Sequence, residues 1–164
     1  YDGNVFDYDY KSQYGKDGDA ALLEVGTPIY AVKGYKPEFL LAARTDGELV
    51  LYLSDSHPNA VIGSDVMDLE DKVVYIGVNS SKDGTTELGA IKDQSKVDEL
   101  VQMVLKSRVD QESSGGPNMD IYFLAFHMKD GITVTKSYGL QTNKMSRGVY
   151  LPNEFRAAVE DALP

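Results

Sequence analysis

The chain has 164 residues, with 26 Asp and Glu against 16 Lys and Arg, a formal net charge of −10, two His, no Cys and no Trp. The missing cysteine excludes a disulfide framework, a thiolate nucleophile, a Cys-ligated zinc and an iron–sulfur cluster, and two His leave no His-rich metal site. The negative surplus opposes nucleic acid and anionic membranes, which call for a basic patch, and the sequence holds no apolar run of about 18 residues that would predict a transmembrane segment.

At 42% hydrophobic and 26% charged, the composition is that of a folded protein, and the length predicts one α+β domain over residues 21–164. Residues 1–20 hold five Asp, four Tyr and three Gly with no apolar period, which predicts a flexible acidic arm or tether. Tyr1 stands where an initiator Met would, so the chain is expected either to start at a cut boundary or disordered segment, or to be a mature product whose signal peptide has been removed.

From residue 28 the pattern becomes β-rich. Runs at 28–35, 38–44 and 48–54 are bounded by Lys36-Pro37 and by Thr45-Asp46-Gly47, and Asp-Gly is the strongest short hairpin signal. The same device joins 72–81 to 85–91 across Lys82-Asp83-Gly84, and 120–128 to 132–140 across Lys129-Asp130-Gly131. Residues 54–71 form a loop with five carboxylates and no base, and 107–118 form a second that contains Ser-Gly-Gly-Pro. Seven of the ten surplus negative charges therefore lie in the arm and in the stretch 54–72.

Two helices are predicted, at about 95–108 and 153–163. In the first, Val97, Leu100, Val101, Val104 and Leu105 make one apolar stripe, with Ser95 and Asp98 as a capping box and Asp93 as a competing cap. In the second, Phe155, Ala158, Val159 and Ala162 repeat the spacing behind Pro152 and Glu154, and a short strand at 147–151 precedes it. The run 120–128 is apolar on both parities and should be a central strand covered on both faces. The expected architecture is an antiparallel, twisted sheet of about seven or eight strands built from Asp-Gly hairpins, with both helices packed on one face.

No motif predicts a catalytic residue, a metal or a cofactor. Gly-x-Ser-x-Gly, His-Glu-x-x-His and a phosphate-binding glycine loop are all absent from the sequence. His57 lies in a turn sequence, and His127 ends a strand, where it is either a hydrogen-bonded structural residue or a ligand-binding or pH-sensing one. The acids at Asp65, Asp68, Glu70 and Asp71, or at Asp17 and Asp19, lack the spacing of a calcium loop. The discordant residue is Lys136, which interrupts the apolar parity Ile132, Val134, Tyr138, Leu140. It sits at a sheet rim, snorkels, or is paired in a pocket. With Tyr138, Arg147 and Tyr150 it forms the region where cations and aromatics concentrate, so Lys136, Tyr138, Arg147, Tyr150 and His127 are the candidate ligand- or partner-binding residues.

The segments VYIGVNSSKDGTTELGAI (74–91) and FHMKDGITVTKSY to SRGVYLPNEF (126–155) resemble uncharacterised secreted proteins or lipoproteins of Gram-positive bacteria over about residues 27–163. The resemblance implies an extracytoplasmic, cell-envelope location, with any membrane tether upstream of Tyr1, and assigns no site residue. The expected function is a non-enzymatic binding module for a protein, peptide or small-molecule partner, in the manner of a sensor or inhibitor. Competing readings are a carboxylate-dependent hydrolase of cell-wall or extracellular polymer and an assembly domain that dimerises through a sheet edge.

Overall fold

The computed structural model describes Leu23, residues 26–54, His57, residues 59–110 and residues 120–164, the side chain of Arg147 excepted. The arm expected over 1–20 and the Ser-Gly-Gly-Pro segment lie outside the described residues. The protein is α+β, with two helices and two antiparallel sheets, of three and six strands. It divides into two compact units, one ending at Ser54 and the other beginning at Asp55.

The first unit holds β1 (Ile29–Ala31), β2 (Leu40–Thr45) and β3 (Glu48–Leu53) in the order β1-β2-β3. The strand expected over 28–35 stops at Ala31, because the chain turns through Gly34, whose φ of 91° suits a residue without Cβ. Between β2 and β3, Thr45 pairs with Glu48, and Asp46 and Gly47 both take positive φ, 51° and 85°. Arg44 Nη1 donates to the Gly47 carbonyl at 3.0 Å and braces that turn. Phe39, Leu40, Ala42 and Ala43 are buried, whereas Glu48–Leu51 are exposed.

The second unit holds β4 (Val73–Asn79), β5 (Glu87–Ile91), α1 (Gln94–Lys106), β6 (Ile121–Met128), β7 (Thr133–Gly139), β8 (Lys144–Met145), β9 (Val149–Tyr150) and α2 (Asn153–Ala162). Its sheet runs β5-β4-β6-β7-β8-β9, so the predicted central strand is central. The single sheet expected from the sequence is thus two. The stretch between Leu53 and Val73 contains no strand among its described residues, and β4 takes β5 and β6 as its neighbours, so that among the described strands β3 pairs only with β2.

Register fixes two faces. Ile76, Val78, Leu124, Phe126, Val134, Lys136 and Tyr138 share one, and all are buried. α2 seals this face: the Phe155 ring lies 5.7 Å from that of Tyr138, and the Ala162 carbonyl occupies the space a side chain at Gly89 would need. α1 packs along β4 with Val97, Leu100, Val101, Val104 and Leu105 buried, the stripe read from the sequence. Its cap is Asp93, which accepts from the Lys96 N–H at 2.9 Å, and Ser95 lies inside the helix.

The opposite face carries Tyr75, Gly77, Asn79, Phe123, Ala125, His127, Thr133, Thr135 and Ser137. Thr133 and Thr135 are exposed, and Tyr75, Phe123 and His127 are half-buried. Among the described residues β6 is thus covered fully on one side only, where its double apolar parity predicts cover on both, although Gly77 and Ala125 on the second side are buried.

The β4–β5 turn is built by Asp83. Its carboxylate accepts from the Thr85 and Thr86 N–H groups, both at 2.9 Å, and from the Thr86 hydroxyl at 2.6 Å. These bonds, that of the Thr86 hydroxyl foremost, hold its pKa at about 2, against an ordinary 3.8. A depressed carboxylate stabilises the fold fully above pH 3.8 and loses that contribution as pH falls toward 2. The thermal midpoint of Asp83→Asn should accordingly lie below the parent's at neutral pH and converge with it near pH 2.

Candidate functional site

The sheet separates the residues that the sequence groups together. Tyr138 is fully buried on the helix-covered face. Its hydroxyl donates to Asn143 Oδ1 at 2.7 Å, and Asn143 Nδ2 donates to the carbonyls of Leu151, at 2.7 Å, and Pro152, at 2.8 Å. Burial pushes the Tyr138 hydroxyl up to about 12, so it stays protonated and serves as a structural donor. Lys136 pairs with Leu124 on the same face and is only 6% exposed, which places it inside and not at the rim. Tyr150, 44% exposed on β9, holds Lys144 Nζ 4.8 Å above its ring and borders an open groove of about 620 Å³ with Met103, Lys106, Leu151 and Pro152. Arg147 stands in the turn between β8 and β9.

His127 lies on the face opposite the helices, the parity that Lys144 and Tyr150 share through Gly139, and a polar and aromatic group surrounds it. Its ring stacks on Tyr75 with centroids 4.0 Å apart and planes 7° from parallel. Its Nδ1 is 3.0 Å from the Thr133 hydroxyl. Desolvation lowers its pKa below 6.5, against an opposing pull from the Glu87 carboxylate. At the centre is Gly77. A Cβ there would lie 2.9 Å from Glu87 Oε2, 3.3 Å from Asn79 Oδ1 and 3.5 Å from His127 Nε2. Three polar atoms from three adjacent strands thus crowd the position, and a side chain at Gly77 would press on the Glu87 carboxylate.

Asn79 is 7% exposed, its Nδ2 donates to the Gly84 carbonyl at 3.0 Å, and its Oδ1 has no hydrogen-bond partner among the described residues. A buried acceptor left unsatisfied costs about 1–3 kcal/mol. Sequence periodicity marks Tyr75, Gly77 and Asn79 as one strand face, yet it does not bring Glu87 and Thr133 to His127. Only the cross-strand register does that.

The acidic cluster is engaged locally. Asp68 accepts from Lys72 Nζ at 2.7 Å, and Asp65 accepts from the Val61 and Ile62 N–H groups at 2.8 and 3.0 Å. Among the described residues no three His, Asp or Glu side chains gather as a metal site. No helix among them is long and apolar enough to cross a membrane. In the first unit, β3 has β2 as its only partner among the described strands, and Leu49, Val50 and Leu51 are exposed on both of its faces.

Comparison with family models, with curated proteins and with solved structures finds no match.

Two measurements check these assignments. Asn143→Ala strands the Tyr138 hydroxyl and two carbonyls, and should cost about 3 kcal/mol in urea denaturation, against about 1–2 kcal/mol for Tyr138→Phe. In an NMR titration His127 should have its midpoint below 6.5. Because the unfolded chain takes up that proton first, the His127 contribution to stability is present above pH 6.5 and declines as pH falls below it.

Proposed function

We propose that the chain is a non-enzymatic binding module that works outside the cytoplasm and takes an extended segment of a protein partner along the open edge of β3. The observation that carries this reading is the exposure of Leu49 (61%), Val50 (37%) and Leu51 (42%) on an edge strand. Edge strands are normally blunted by charge, proline or a covering element, because their free N–H and C=O groups invite another strand. Here the exposed side chains are consecutive and apolar on both faces, which suits strand addition: main-chain bonds give affinity and alternate side chains give selectivity. Each apolar side chain taken fully out of water contributes about 1.5–3 kcal/mol, enough with a few ladder bonds to offset the cost of ordering an extended peptide.

The extracytoplasmic placement rests on the resemblance of 74–91 and 126–155 to secreted and lipid-anchored proteins, and is compatible with a chain free of cysteine. A polymer hydrolase would need two facing acids. Asp65, Asp68, Asp83 and Asp93 instead serve local turns, a salt bridge and a helix cap, which favours the binding reading.

The test is selection of a random peptide library on the immobilised chain, followed by affinity measurement on the parent and on the double variant Leu49→Lys, Leu51→Lys. These side chains are exposed, so folding should be retained. Alternating, β-prone peptides whose affinity falls at least tenfold in the variant are expected. Peptides that bind both proteins equally, or a parent already dimeric in sedimentation through this edge, would contradict the proposal.

A further inference from the structure

We infer that Met103, at the groove beside α1, is the site at which a hydroperoxide reversibly oxidises this protein. The site lies in the second unit and does not rest on strand addition at β3.

The chain has no Cys and no Trp, so two-electron oxidation by a peroxide falls first on its five Met. Met119 lies outside the described residues. Met67, Met128 and Met145 are core side chains, 2%, 4% and 1% exposed, and an oxidant reaches their sulfurs only when the structure opens. Met103 is half-buried and stands apart from the apolar stripe of its helix, Val97, Leu100, Val101, Val104 and Leu105. It lines the open groove of about 620 Å³ together with Lys106, Tyr150, Leu151 and Pro152. Among the described methionines it is therefore the one an oxidant meets in the folded protein.

The same position tolerates the product. The thioether sulfur attacks the outer oxygen of the hydroperoxide, and the O–O bond breaks as the S–O bond forms. Sulfur gives up two electrons, and the leaving oxygen takes a proton and departs as water or an alcohol. The sulfoxide oxygen is a polar acceptor on what was an apolar side chain. In the core it would lack a donor and disturb the packing. In the groove it meets water and the exposed Lys106 three residues on, a spacing that brings two side chains together on a helix. The end of α1 does not depend on the sulfur, because it is the Met103 main-chain carbonyl that accepts from the Ser107 N–H at 3.1 Å and from its hydroxyl at 2.6 Å. Oxidation thus makes one wall of the groove polar and leaves the fold intact. A sulfoxide at a groove is also within reach of the reductases that return it to methionine, which makes the modification reversible.

The experiment treats the whole folded chain with hydrogen peroxide and follows oxygen uptake peptide by peptide in mass spectrometry; trypsin releases Met103 as the only methionine of 97–106. Met103 should gain an oxygen at least about tenfold faster than Met67, Met128 and Met145, with the thermal midpoint unchanged, and in urea the rates should converge. Methionine sulfoxide reductases with dithiothreitol should then remove the oxygen from the folded protein. Met103→Leu, which keeps size and polarity, should retain the midpoint and lose the fast uptake. Equal rates in the folded chain overturn the proposal, as does a midpoint that falls in step with oxidation of Met103, which would make that side chain part of the core. A rate gap that persists in urea overturns it too, since local sequence and not the groove would then set the reactivity. Resistance of the sulfoxide to the reductases contradicts reversibility.

Discussion

A β-strand sends successive side chains to opposite faces, so once one face of a sheet is closed by helices, every residue of the strand is committed to the core or to the surface by its parity. In the second unit this constraint acts along β6 and β7. Phe126 and Leu124 face the helices and with them Val134, Lys136 and Tyr138, while His127, Ala125 and Phe123 face outward with Thr133, Thr135 and Ser137. Core packing and surface exposure are thereby assigned to different atoms of the same strands. A one-residue slip would exchange them, placing threonines under α2 and Phe126 in water.

Polar groups hold that register at both ends of the sheet. Asn143 ties Tyr138 to the Leu151 and Pro152 carbonyls, which fixes β7 against the start of α2. At the other end Asn79 braces the β4–β5 turn through Gly84, and Asp83 closes that turn with its carboxylate. The first group is fully satisfied and buried, as a structural network must be. The second leaves Asn79 Oδ1 without a hydrogen-bond partner among the described residues.

Much of this was legible in the sequence where the signal is local. The stripe Val97 to Leu105 and the spacing of Phe155, Ala158 and Val159 specify the two helices because an apolar stripe needs only neighbours three and four residues apart. The turn at Asp46-Gly47 follows from the left-handed conformations those residues accept. The partition into two sheets was not legible, since it depends on which strands pair across the stretch 54–72, and pairing is a long-range choice. For the same reason nearness in sequence groups Lys136 and Tyr138 with Tyr150, while the sheet puts the first two inside and the third on an edge strand. The sequence places His127 at a strand end, but its neighbours Glu87 and Asn79 come from other strands.

The division between a sealed and an open face can be read directly, because the chain contains no cysteine and each introduced thiol is the only one present. Single variants Thr133→Cys, Thr135→Cys, Phe126→Cys and Val134→Cys would be labelled with a thiol reagent under native conditions. Reaction at 133 and 135 should be as fast as in the unfolded chain, and reaction at 126 and 134 should be limited by opening of the structure. Comparable rates at all four positions would contradict the account.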